Sequence, residues 1–249
     1  MDHRGGRAAH PPIEVFEALD STNAEARRRA EAGEGGPLWL TAEVQTAGRG
    51  RRGRAWQTGA GNLAATYLFT TPKPPAQAAQ VSFVAALAVA DLACAFVAPS
   101  GVSLKWPNDT LIAGRKVAGI LVESGQSRFG GLWVAVGIGV NLARAPAGVE
   151  PPATALAAHM LAPPPSPAEA LAILATALEY WRGLWEDAGF APIAAAWTAR
   201  AHGMGEQCIA RLPGETVEGI AQGLDADGAL RLAMAGGLVR RITAGDVFF

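Results

Sequence analysis

The chain has 249 residues, 50% of them hydrophobic, enough for one large core and a smaller second unit. Its 21 Lys+Arg nearly balance 22 Asp+Glu, for a formal net charge of -1, which argues against a protein that coats nucleic acid over a whole face. Cys94 and Cys208 stand far apart with no CxxC spacing, a pattern of buried thiols in a reducing compartment and not of a disulfide framework or a zinc site.

Residues 1–12, MDHRGGRAAHPP, carry basic groups but no apolar segment. They read as a flexible N-terminal tail, not a secretory signal, and the expected location is cytoplasmic. Ile13 to Leu19 reads as a strand, and the cluster Asp20-Ser21-Thr22-Asn23 then caps a polar helix running to about Gly33. LWLTAEV (38–44) is a second strand, feeding directly into GRGRRGRAW (48–56), which packs four arginines and three glycines into seven residues before Trp56. NLAATYLF (62–69) is a third strand. VSFVAALAVADLACAFVAP (81–99) is long enough to suggest a membrane span, but it contains Asp91 and is far richer in alanine than in leucine or isoleucine. It predicts a closely packed core helix ended by Pro99 and Gly101, with no membrane association.

VSLKW (102–106), KVAGILVE (116–123) and LWVAVGIGVNL (132–142) read as strands, with PNDTLIAGR (107–115) as the turn between the first two. An Ala/Pro-rich connector with one helical turn (144–167) and two amphipathic helices (167–187 and 190–201) follow. From Gly203 the short runs EQCIARL, TVEGIAQGLD, GALRLAM and GLVRRIT alternate with PGE, DADG and AGG, the pattern of a small antiparallel barrel docked on the larger unit. The expected class is α+β: a mixed sheet covered by helices, in a domain 13–202, with the barrel at 203–249.

Three readings compete for the arginine segment. It could be an ordinary solvated basic loop, a nucleic-acid contact using arginines among glycines, or a lid over a small phosphate-bearing ligand. Its place between two apolar strands favours the lid, because a loop there hangs over the end of a rigid sheet. KWPND (105–109) and GRKVAGILVE (114–123) set further polar groups at strand ends, where sites are commonly built. Each taken singly is ordinary turn chemistry; together with DSTN they gather amide, hydroxyl, ammonium, guanidinium and carboxylate groups.

In that order, DSTN (20–23), QTAGRGRRGRAW (45–56), KWPND (105–109), GRKVAGILVE (114–123) and GIGVNL (137–142) resemble the motif set of biotin protein ligases. The resemblance covers nearly the whole chain. It implies the class II synthetase-like biotin/lipoate ligase fold with a C-terminal SH3-like barrel. It also implies an ATP-dependent reaction, with Mg²⁺ brought by the nucleotide and no fixed protein metal ligands. Biotin is activated as biotinyl-5′-AMP, then transferred to a lysine of the biotin carboxyl carrier domain of acetyl-CoA carboxylase or a related carboxylase. Lipoate ligases share the fold, but the GRGRRGR-type loop and KWPND are not characteristic of them. Some members carry an N-terminal helix-turn-helix and act as repressors. With about a dozen residues before the first strand, the expectation is the monofunctional class without specific DNA binding.

Site residues follow from the same resemblance. Ser21, Thr22, Asn23, Gln45, Gly48, Arg49, Gly50, Arg51, Lys116 and Gly119 are expected around biotin, whose ureido ring offers two N–H donors and one carbonyl. Arg51, Arg54, Trp56, Lys105, Asn108, Lys116 and Asn141 are expected around ATP, with Trp56 stacking on adenine. Lys116, Arg49 and Arg51 are the expected charge stabilisers of the first step. Asp109 is the expected carboxylate for the incoming amine of the second.

Overall fold

The structure is a computed structural model that describes residues 11–249; residues 1–10 of the expected tail lie outside that range. β1 (Ile13–Leu19) and β2 (Leu38–Gln45) pair in parallel, so the chain between them must cross over, and α1 (Thr22–Ala32) makes the crossing. Ser21 is its N-cap and Gly33, at φ 103, its C-cap. The buried side of α1, Ala26 and Ala30, packs on Leu38, Leu40 and Leu68. Its outer side is a run of arginine–carboxylate pairs among Arg27, Arg28, Arg29, Asp20, Glu25 and Glu31.

β3 (Leu63–Thr71), α2 (Pro75–Ala78), α3 (Val81–Cys94), β4 (Val102–Lys105), β5 (Asp109–Ile112), β6 (Arg115–Gln126) and β7 (Leu132–Val140) follow, then α4 (Pro167–Ala188) and α5 (Phe190–Thr198). The first seven strands form one sheet in the order β1-β2-β3-β7-β6-β5-β4. The apolar stretch Pro75–Cys94 could cross a membrane by length and composition, yet most of it is buried inside the protein. Its alanines let α3 approach α4 and α5 closely, and Val84, Leu87 and Leu92 are fully enclosed. Asp91 is matched rather than stranded: its carboxylate accepts from Trp181 Nε1 and Arg200, each at 2.6 Å.

One expectation fails. Segment 107–115, read as a turn, holds β5, whose four residues pair with β4 on one side and β6 on the other. The true turn is Ala113-Gly114, at φ 49 and φ 73. Because Asp109 stands opposite both Lys105 and Gly119, the missed strand brings three motifs side by side.

β8 (Gln207–Leu212), β9 (Glu215–Leu224), β10 (Leu230–Ala233), β11 (Val239–Ile242) and β12 (Asp246–Phe248) build a second, antiparallel sheet in the order β11-β10-β9-β8-β12. Among the described residues no ladder joins β11 to β12, so the small all-β unit is an antiparallel five-stranded sheet, as expected for an SH3-like unit. Val217, Ala221, Leu230, Leu232 and Val247 belong to the same buried cluster as the core of the larger sheet. Trp106 Nε1 donates to Gly228 O at 3.1 Å, and Gln80 Nε2 to Ala226 O at 3.3 Å, fastening the turn between β9 and β10 onto the larger unit. Cys94 is half-buried and Cys208 buried, both free.

Candidate active site

A cavity of about 520 Å³ is lined by the first turn of α1, the arginine loop, the facing ends of β4 to β7, and β8 and β12 of the small sheet. One end of it is neutral. Ser21, Thr22 and Asn23 are buried there at the start of α1. From β3, the buried Thr66 hydroxyl shares its proton between Thr22 Oγ1 (2.8 Å) and Asn23 Oδ1 (2.7 Å). Thr22 in turn donates through N–H and Oγ1–H to Gln45 Oε1 (2.9 and 3.2 Å), and Gln45 Nε2 donates to Thr58 Oγ1 at 2.9 Å. Asn23 Nδ2 donates to Leu121 O (3.2 Å) and Glu123 Oε2 (2.8 Å).

Both amide hydrogens of Asn23 are therefore committed inside the protein, which makes it an orienting residue more than a donor to a ligand. Still unclaimed among the described residues are the Ser21 hydroxyl hydrogen and the second Gln45 N–H, two donors suited to a carbonyl. Asn23 can lie against β7 only because Gly137 has no side chain, since a Cβ there would stand 2.2 Å from Asn23 Oδ1.

The other end is charged. Lys116 Nζ lies 2.6 Å from Asp109 Oδ1, and its backbone is pinned on both sides, with Lys116 N–H donating to Pro152 O and Thr154 N–H to Lys116 O. Trp56 lies across Gly139 and Gly119, where a Cβ would come within 2.3 and 3.3 Å of its ring; Lys116 Nζ is 5.7 Å from the ring centroid. Asn141 donates to Thr154 O, while its buried Oδ1 has no partner among the described residues and is free to accept from a ligand.

The arginine loop closes on itself: Gly50 N–H donates to Arg54 O and Trp56 N–H to Gly48 O, with Arg52 at φ 56 and Gly53 at φ 72 making the tight turn. Like charges confined so closely find local partners. Arg51 donates to Asn108 Oδ1 at 3.2 Å, Arg49 stands 3.7 Å from Glu123, and Arg52 and Arg54 both reach Asp246 on β12. Burial pushes Arg51 below the ordinary arginine value and Lys105 below the ordinary lysine value, the latter countered in part by Asp109.

Of the residues expected from sequence, all line this cavity except Gly48. Gly48 stands behind the wall, where a Cβ would come within 2.4 Å of Trp56 O, so it shapes the loop rather than the pocket. Sequence reasoning missed Thr66, Glu123 and Thr58, which look like ordinary strand and loop residues. It also missed Arg211, Asp246 and Phe248 from the small sheet, all on the cavity wall. No spacing rule could link them to motifs two hundred residues away.

Comparison with known proteins places the chain in a family. The profile of the Biotin/lipoate A/B protein ligase family matches residues 15–141, and that of the Biotin protein ligase C terminal domain matches residues 203–249. A biotin--[acetyl-CoA-carboxylase] ligase of Paracoccus denitrificans is 47% identical, over 92% of this chain and 97% of its own. One of Mycobacterium tuberculosis is 37% identical, over 94% and 88%. Among solved structures, the biotin protein ligase from Aquifex aeolicus in complex with biotin and ATP has the same fold, with a TM-score of 0.79 at 24% identity over 95% of this chain and 97% of that one. The chain belongs to the biotin/lipoate protein ligase family.

Proposed function

We propose that the chain is a biotin--[acetyl-CoA-carboxylase] ligase. It condenses biotin with ATP to biotinyl-5′-AMP and pyrophosphate, then passes the biotinyl group to a carrier lysine. The observation that carries this is the polarity of one cavity: a hydrogen-bonded neutral network at Ser21–Gln45 and a cluster of cations from Lys116 to Arg54. The relatives named above support the substrates.

In the first step an oxygen of the biotin carboxylate attacks the α-phosphorus and the bond to the bridging β-phosphate oxygen breaks. Two anions must meet. At 4 Å and an effective dielectric of about 20, two unit charges repel by roughly 4 kcal/mol, several powers of ten in rate if nothing compensates. Lys116, Arg49 and Arg51 supply that compensation, with Lys116 held in place by the Pro152 and Thr154 backbone. A Mg²⁺ would be held by the nucleotide's own phosphates, with Lys116 and the arginines pairing with the phosphate oxygens that it leaves free. Such an ion, when bound, adds charge neutralisation at the phosphates.

At the opposite end the ureido carbonyl would accept from Ser21 and Gln45. Trp56 stacks on adenine and Asn141 Oδ1 accepts from its amino group. In the second step the carrier amine attacks the acyl carbon, the bond to the phosphate oxygen breaks, and AMP leaves. Lysine's ordinary pKa of about 10.4 means the incoming amine arrives protonated. Once Lys116 has turned to the adenylate, Asp109 is free to receive that ammonium and take its proton.

The catalytic unit is 13–202 and the smaller unit 203–249; the enzyme works in the cytoplasm. Arg49, Arg51 and Arg54 face the cavity, so any binding of duplex DNA by the described residues would be weak and without sequence preference. Incubation with ATP, labelled biotin and the carrier domain of an acetyl-CoA carboxylase tests the reading. Label on the carrier lysine with stoichiometric pyrophosphate is expected; no labelling, or faster labelling with lipoate, would overturn it.

A further inference from the structure

We propose that Arg211, stacked on Phe248 opposite Lys105, binds the terminal phosphates of ATP and the pyrophosphate that leaves, making the small sheet part of the nucleotide site. Arg211 on β8 stands directly opposite Asp246 on β12, and Phe248, two residues on, shares that face. An arginine so placed would ordinarily take the carboxylate. Here Asp246 is claimed by Arg52 and Arg54 of the loop, and no carboxylate pairs with Arg211 among the described residues. Its guanidinium instead lies 4.4 Å over the Phe248 ring, with Lys105 Nζ 5.5 Å from the same centroid. Lys105 has no carboxylate ion pair among the described residues either. A ring face compensates a cation far less than a carboxylate does, so both groups are left with charge to spend on a ligand.

The order of strands says which part of the ligand reaches them. Trp56 lies over Gly139 of β7 and Gly119 of β6; Lys116 is on β6, Asp109 on β5 and Lys105 on β4. These strands are neighbours in that sequence across the sheet. A nucleotide with its base at Trp56 and its α-phosphate at Lys116 therefore extends its remaining phosphates toward Lys105, and Arg211 stands beyond, sharing Lys105's aromatic ring. A planar guanidinium with several donors fits a phosphate bidentately, where Lys105 offers only a point charge. The Phe248 ring gives the guanidinium a resting contact at 4.4 Å beside the cavity.

This rests on the adenylate-forming reading, and the experiment separates the two. Inorganic pyrophosphate is titrated calorimetrically into the wild-type protein, Arg211→Ala and Arg211→Lys, with biotin titrated as a check on folding. The KM for ATP is then measured by biotin-dependent pyrophosphate release. Arg211→Ala should weaken pyrophosphate binding and raise the ATP KM, each about tenfold, with biotin affinity unchanged; Arg211→Lys should recover part of the loss. Equal pyrophosphate affinity in wild type and Arg211→Ala overturns the proposal. So does a defect confined to the KM for the carrier, which would make Arg211 a carrier contact. If the wild-type protein forms no adenylate, the broader reading fails, while the pyrophosphate titration still judges Arg211.

Discussion

The two ends of the cavity are built on opposite plans. At the neutral end most polar side chains are already satisfied internally: Thr66, Thr22, Asn23, Gln45 and Thr58 form one chain of hydrogen bonds that ends on the Glu123 carboxylate, and only a few valences are left open. At the cationic end, charges are held by temporary partners, such as Asp109 for Lys116 and Asp246 for Arg52 and Arg54. The reason lies in the ligands. A neutral ring in an apolar pocket can be recognised only by donors fixed beforehand, because each mismatched polar group costs about 1 to 3 kcal/mol. An anion is recognised by charge, which tolerates rearrangement and gains from partners that can be exchanged.

The largest test of this contrast is Lys116→Ala. It should lower biotin-dependent pyrophosphate release by about 100-fold or more, in line with other electrostatic stabilisers, and weaken biotin binding far less. A rate within a few-fold of wild type would remove Lys116 from the first step.

Next come two glycines of one strand, each under a different end. A methyl group at Gly139 would strike the Trp56 ring, and one at Gly137 would strike Asn23 Oδ1. Overpacking of this kind costs about 1 to 3 kcal/mol, roughly 5- to 150-fold in affinity. Gly139→Ala should fall on ATP and Gly137→Ala on biotin, as read by separate titrations; the reverse assignment would mean that the two ends have been exchanged.

Thr66→Val should then weaken biotin binding about tenfold by depriving Thr22 and Asn23 of their shared donor. Thr66→Ser restores the hydroxyl and should restore affinity, which a mere packing defect would not. The smallest effect concerns pH. Burial disfavours the charged form of Lys105, so it loses its proton at a lower pH than an ordinary lysine. Attraction for phosphate is strongest on the acid side of that lowered value and fades as pH rises through it, raising the ATP KM by roughly threefold. Lys105→Arg should flatten the profile, and identical profiles for both proteins would exonerate Lys105.

Much of this was legible in the sequence, for a definite reason. The parts that touch a ligand are concentrated in short motifs whose residue types are forced by chemistry, so DSTN, the arginine loop, KWPND and GIGVNL announce the cavity. The helix at 81 betrays itself by unbroken apolar residues with a single acid. β5 stayed hidden because Pro107, Asn108, Asp109 and Gly114 punctuate so strongly that Asp109–Ile112 could not register as a strand. Thr66 and Glu123 were illegible because their importance lies in which partners the fold sets beside them. Arg211, Asp246 and Phe248 were illegible for the same reason at greater range: alternation along β8 and β12 marks them as outward-facing, and only docking turns that outside into a wall.

That docking rests on a small joint. Trp106, inside KWPND, donates its indole N–H to Gly228 O, and Gly228 sits so close on Phe83 of α3 that a Cβ would come within 2.6 Å of the ring. A tool-builder exchanging C-terminal units between relatives would thus be handling a keyed part. A bulkier residue at position 228 would tilt the whole wall that carries Asp246 and Phe248, and the grip on the nucleotide would change through a residue the nucleotide never meets.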